Sequence, residues 1–94
     1  MVNSSVHALE SLRGQEVVLD LSSPFVYLGR LVEAGEAFLV LEDADAHDLR
    51  DASVGRERYV LDARMHGINP NRRRAWVSMR EIVGVSRLED VVIP

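Results

Sequence analysis

The chain has 94 residues, enough for one small domain and too few for a second hydrophobic core. It contains no cysteine, which excludes disulfide bonds, a thiolate zinc site and a cysteine nucleophile. Eleven arginines and no lysine stand against fifteen acidic residues, and the resulting net charge of −4 argues against a general nucleic-acid coat.

The first predicted element is a short amphipathic helix over residues 6–13. Val6, Leu9 and Leu12 are spaced three apart, which places them on one helical face. Gly14 suits the left-handed conformation that ends many helices. A helix of about two turns is marginal alone, so we expect its apolar face to pack on the rest of the domain.

Three strands are predicted within residues 16–46, at 16–22, 25–33 and 37–46. Apolar residues recur with a period of two in the first, and the third is apolar on both faces through Leu41 and then turns acidic. Tight turns between them predict an antiparallel meander. Gly29 lies in the middle of the second strand, where a glycine usually marks a sharp bend or a close backbone approach.

Residues 47–74 form an insertion that is too long for a structureless loop in so small a domain. Residues 56–66 contain helix formers with Leu61 and Met65 four apart, and Gly67 follows as a natural stop, so we predict a second helix. The alternative is an extended continuation of the preceding hairpin.

The last predicted elements are strands four and five within residues 75–88, at 75–79 and 82–87. The fold class is therefore mainly β, with five short antiparallel strands in one domain over residues 1–94. Strands this short are expected to bend strongly and close into a small barrel, with the N-terminal helix over one open end.

Three segments resemble the Sm-like (LSm) family: residues 27–31 (YLGRL), 41–44 (LEDA) and 77–85 (VSMREIVGV). The resemblance covers roughly residues 6–46 and 74–88. It departs from the family pattern at Glu81, where the family often has glycine.

The resemblance implies a ring in which strand four of one subunit pairs with strand five of the next, and many such rings bind RNA near the central pore. Unpaired edges of a short sheet also favour self-association on physical grounds, and head-to-tail pairing can close a ring. The expected partner is the protein itself, in a cyclic homo-oligomer. The expected interface residues are Trp76, Val77, Met79, Val83 and Val85.

The usual uridine pocket of the family is expected to be absent. Phe38 stands at the position of the family's asparagine and Glu36 at that of its stacking residue, and the family's aspartate is missing. Only Arg80 matches a pocket residue. Without base-edge donors and a stacking ring, the groups that hold a single-stranded base are lost.

The alternative to a scaffold is an RNA-binding ring in which a cluster of arginines contacts the phosphates of the RNA. The competing interpretation is that the arginine run pairs with the acidic segment 42–51 of its own or a neighbouring chain, and the net charge favours it. The candidate RNA-binding residues are Arg72, Arg73, Arg74 and Arg80.

A remote alternative is a metal-binding module. Asp43, Asp45 and His47 alternate with a period of two, so on a continuous strand they would share one face and offer ligands for a cation. Acidic residues at strand ends are common, however, and no second cluster completes such a site.

No spacing in the sequence points to a catalytic set, so we expect neither an enzyme nor a cofactor. No apolar run is long enough to cross a membrane, and residues 1–14 lack a secretory pattern. The sequence therefore predicts a cytoplasmic Sm-like ring that acts as a scaffold or interaction module and has no membrane partner.

Overall fold

Five antiparallel strands form one sheet in the order β4-β3-β2-β1-β5. The computed structural model describes residues 4–51 and 53–94. The mainly β class, the N-terminal helix and the helix inserted between strands three and four are confirmed. The elements are α1 (Ser4–Glu10), β1 (Glu16–Leu21), β2 (Phe25–Ala34), β3 (Phe38–Asp48), α2 (Arg56–His66), β4 (Arg72–Ser78) and β5 (Ile82–Arg87), with 3-10 turns at Leu49–Asp51 and Leu88–Asp90.

The inserted helix α2 ends where the sequence predicts. Gly67 adopts a φ of 94° and donates its backbone N–H to the carbonyl oxygen of Ala63 at 2.8 Å. The predicted limits of the insertion are too wide at both ends. Residues 47–48 belong to β3 and residues 72–74 already belong to β4. The alternative of an extended continuation of the hairpin is wrong, because residues 56–66 are helical.

Strands β2 and β3 approach each other closely at Gly29, the position of the predicted bend. A Cβ atom on Gly29 would lie 3.1 Å from Cα and 3.2 Å from Cβ of Ala44. The pairing of the two strands shifts between Leu28 and Arg30, and Asp43 takes a positive φ of 49°. A β-bulge increases the local twist of a sheet, as the predicted bend at Gly29 requires, and a second register shift follows between Leu31 and Glu33.

Apolar side chains fill both faces of the bent sheet. On one face lies the inner core, against which Leu9 and Leu12 pack from the N-terminal segment; its buried members are Val17, Leu19, Leu21, Leu31, Ala34, Leu39, Leu41, Ala44 and Val77. On the other face, helix α2 covers β1 and β2. This outer core consists of Val18, Val26, Leu28, Val60, Ala63 and Leu88.

The sheet does not close into a barrel within one chain. Strands β4 and β5 are at its two ends and do not pair with each other. Two backbone hydrogen bonds join the β4–β5 turn to other parts of the chain. The N–H of Ser22 donates to the carbonyl oxygen of Glu81 at 2.7 Å, and the N–H of Met79 donates to the carbonyl oxygen of Ala37 at 2.9 Å. Two strand edges are therefore left open, which corrects the expectation of a closed barrel.

In the described part of the chain, no helix has the length and apolar character that crossing a bilayer requires.

Candidate functional site

The two open edges of the sheet are the candidate functional site. Strand β4 pairs only with β3, for example Trp76 with Val40, and β5 pairs only with β1, for example Val85 with Leu19. Each of these end strands has a second edge with backbone N–H and C=O groups that no other described strand satisfies. Such edges are templates for pairing with another chain.

The predicted interface residues divide between the edges and the core. Val77 is only 4% exposed and its side chain belongs to the inner core, so it can take part in an interface only through the backbone of the open β4 edge. Met79 and Val85 are half-buried against the same core. Trp76 and Val83 are 59% and 69% exposed. Strand alternation explains the division within β4, because it turns successive side chains to opposite faces. In β5 the register shift opposite Asp20 and Leu21 interrupts the alternation before Val85.

A chain of ion pairs lies beside Trp76. The guanidinium group of Arg74 donates to Glu42 Oε2 at 2.5 Å, and that of Arg30 donates to Glu42 Oε1 at 2.8 Å. A second nitrogen of Arg30 lies 3.3 Å from Asp43 Oδ2. The guanidinium carbon of Arg74 lies 5.8 Å from the Trp76 ring centroid. Hydrogen bonds from Arg74 and then Arg30 lower the pKa of Glu42. Arg74 is thus engaged within its own chain.

The four candidate arginines do not form one cluster. Arg72 and Arg73 are exposed at the start of β4, whereas Arg80 is in the turn after it, and a seven-residue strand is about 20 Å long. Among the described residues, Arg72 and Arg73 form no ion pair. One guanidinium N–H of Arg72 donates to the carbonyl oxygen of Asn71 at 3.0 Å.

The predicted metal ligands are not brought together. The bulge at Asp43 breaks the alternation, and that carboxylate pairs with Arg30. Asp45 accepts a hydrogen bond from Asn71 at 3.2 Å, and the ring of His47 stacks on Tyr59. Within residues 4–51 and 53–94, no group of three His, Asp or Glu side chains is placed to hold a metal ion. The metal hypothesis is wrong because it assumed an unbroken strand.

Asp45 and His47 instead attach β3 to the inserted segment. Burial raises the pKa of Asp45, which is 7% exposed. Asn71 also joins Ala46, accepting its N–H at 2.9 Å and donating to its carbonyl at 3.0 Å. The His47 and Tyr59 ring centroids are 3.9 Å apart. Sequence reasoning missed these contacts, because nothing in the local pattern pairs residues 45–47 with positions 59 and 71.

A groove at the opposite end of β4 contains Glu36, Phe38 and Arg80, the residues that the sequence resemblance aligned with the family's uridine pocket. It has a volume of about 480 Å³ and is lined by Glu36, Ala37, Phe38, Ser78, Met79 and Arg80. The hydrogen bond between Met79 and Ala37 brings the β2–β3 hairpin to the β4–β5 turn. Phe38 is 46% exposed there.

Comparisons with known proteins identify the fold. No protein-family model matches the chain. No curated protein matches it either. Among solved structures, the Pyrococcus abyssii Sm protein in complex with a uridine heptamer is similar, with a TM-score of 0.60 and 14% sequence identity, over 87% of this chain and 94% of that chain. The chain has the Sm-like fold. The Sm-like sheet of this protein is open at β4 and β5 and bears α2 on its outer core.

Proposed function

We propose that the protein assembles into a cyclic homo-oligomer by pairing β4 of one copy with β5 of the next, and that this ring serves as a scaffold rather than a catalyst. The open edges at the two ends of one sheet carry the proposal. Trp76 and Val83 add exposed apolar surface at these two edges. Head-to-tail pairing of unlike edges leaves no edge free once the ring closes.

The scaffold is proposed to lack the usual uridine site. In the groove beside the β4–β5 turn, Glu36 contributes a negative charge and Phe38 has no side-chain hydrogen-bond donor. A carboxylate in the groove opposes a phosphate, and the loss of donors removes recognition of a base edge. These residues support a ring that binds by other surfaces.

Native mass spectrometry of the full chain, together with size-exclusion chromatography over a dilution series, tests assembly. We expect one closed stoichiometry for the wild-type chain and a shift toward monomer for Val83→Glu. Val54→Glu is the matched control, since Val54 is also exposed, at 41%, and belongs to no strand. A wild-type chain that stays monomeric at micromolar concentration overturns the proposal.

A second candidate is an RNA-binding ring. The similar Pyrococcus abyssii Sm protein was solved with a uridine heptamer. In this chain the exposed ring of Phe38 lines the same groove as Arg80, and aromatic rings and arginines both bind single-stranded nucleic acid. Arg72 and Arg73 provide further exposed positive charge at the other end of β4.

Titration of labelled oligo-U and oligo-A at low and moderate salt separates the two candidates. Sub-micromolar binding that weakens steeply with salt would favour the RNA-binding ring. If the site is at the β4 start, a triple alanine variant at residues 72–74 abolishes binding; if it is the groove, Phe38→Leu and Arg80→Ala do so. No binding by the assembled ring supports the scaffold.

A further inference from the structure

Two exposed apolar patches lie at opposite ends of the sheet. At the β4 end is Trp76, 59% exposed. At the β5 end are Val83, 69% exposed, and the C-terminal tail, defined here as residues 91–94, in which Val92 is 82% and Ile93 48% exposed. These residues account for much of the large apolar surface that the described chain leaves in solvent.

Trp76 and the C-terminal tail lie on the outer face of the sheet, the face that α2 covers over β1 and β2. Trp76 precedes Val77, whose side chain is in the inner core, so the indole is on the opposite face. The tail begins with Val91, which packs against the outer core, and continues along a groove that Val18 and Ser86 line on the outer face of β1 and β5.

We propose that, in the ring described above and on the condition that it forms, the C-terminal tail of one copy covers Trp76 of the partner subunit. Pairing β5 with the partner's β4 extends the sheet and keeps one outer face. The tail then lies next to the partner's Trp76. The exposed Val92 and Ile93 of one copy pack against the exposed indole of the next and form an apolar contact between the two copies. Burial of an exposed tryptophan is a frequent source of affinity in interfaces.

The charges at the two edges are complementary in the same arrangement. All four strand pairs within the chain are antiparallel. An antiparallel pairing between copies brings the start of β4, with the exposed Arg72 and Arg73, toward the residues that follow β5. Those residues are Glu89 and Asp90, which are 65% and 53% exposed and pair with Arg87 of their own chain at 3.1 and 2.7 Å, so that the group keeps a net negative charge. A second copy therefore fits this edge in charge as well as in apolar surface.

Trp76 is the only tryptophan in the sequence, so its fluorescence reports on this contact directly. The experiment compares the wild-type chain with Val92→Asp and Ile93→Asp, and uses Val54→Asp as the matched control. Emission maximum and iodide quenching are measured across a dilution series, and native mass spectrometry records the oligomer at each concentration. Both tail residues are exposed in the single chain, so the variants leave its core intact.

We expect emission at shorter wavelength and weaker quenching in the wild-type oligomer than in the diluted monomer. The tail variants should shift emission back and weaken assembly by about tenfold, while Val54→Asp behaves as wild type. An oligomer whose Trp76 is as quenchable as in the monomer, or is unaffected by the tail variants, overturns the tail contact and leaves the ring intact. A wild-type monomer at all concentrations overturns the ring itself, and the tail contact with it.

Discussion

The outer face of the sheet differs between its two halves. Over β1 and β2, helix α2 covers the strands, and Leu28 is 1% exposed. At the β4 end the same face is uncovered, and Trp76 is 59% exposed. One eleven-residue helix spans about 16 Å, which covers only part of a five-stranded sheet. The chain completes one half by its own insertion, and we propose that a second copy completes the other.

The largest expected change in stability comes from a substitution in the half of the outer face that α2 covers. Leu28→Ala removes a buried side chain from the outer core and should lower the free energy of unfolding by about 2–5 kcal/mol. The comparison substitution at the uncovered β4 end, Trp76→Phe, should change it by less than about 1 kcal/mol when the chain is monomeric, because this side chain is 59% exposed. Urea denaturation at low protein concentration measures both. Equal losses would contradict the distinction between the halves.

A smaller effect is expected where the sheet bends. In Gly29→Ala the new Cβ would lie 3.1 Å from Ala44, so the strands must separate, and unfolding should become easier by about 1–3 kcal/mol. Gly84→Ala is the control, because its nearest neighbour, Asp20, is at an ordinary 3.6 Å. Thermal and urea unfolding compare the two variants. A Gly29→Ala chain as stable as Gly84→Ala would remove Gly29 as the origin of the bend.

The smallest expected change in stability depends on pH and arises at Asp45, which joins β3 to the inserted segment through Asn71. Burial raises the pKa of Asp45, so its ionisation disfavours the folded state, and the associated stability is lost as pH rises through the folded pKa. Asp45→Asn should therefore stabilise the protein near neutral pH, by on the order of 1 kcal/mol, while still accepting the hydrogen bond from Asn71. The gain should vanish below about pH 3.9, where Asp45 is protonated in both states.

Glu42 provides a control of opposite sign. Arg74 and Arg30 lower its pKa, so its contribution to stability is present above the usual glutamate range and is lost as pH falls through the folded pKa. Glu42→Gln should destabilise the protein at neutral pH and not in acid. Urea denaturation across pH checks both variants. The assignment fails if Asp45→Asn and Glu42→Gln change stability in the same direction at neutral pH.

Much of the fold could be predicted from local patterns. Apolar segments separated by turn residues located the five strands, and the helix before Gly67 has the predicted limits. The bulge at Asp43 could not be predicted, because it depends on the approach of Gly29 to Ala44 across two strands. That single irregularity separated the supposed metal ligands. Likewise, the pattern around Val77 showed an apolar strand without showing which residues the core would take.

Amide hydrogen exchange, measured at high and low protein concentration, tests the pairing of β4 with β5 most directly. The account predicts that protection over residues 72–78 and 82–87 increases with concentration, while β2 in the middle of the sheet is unchanged. Protection at both end strands that is independent of concentration, over a range that includes assembled protein, would contradict it.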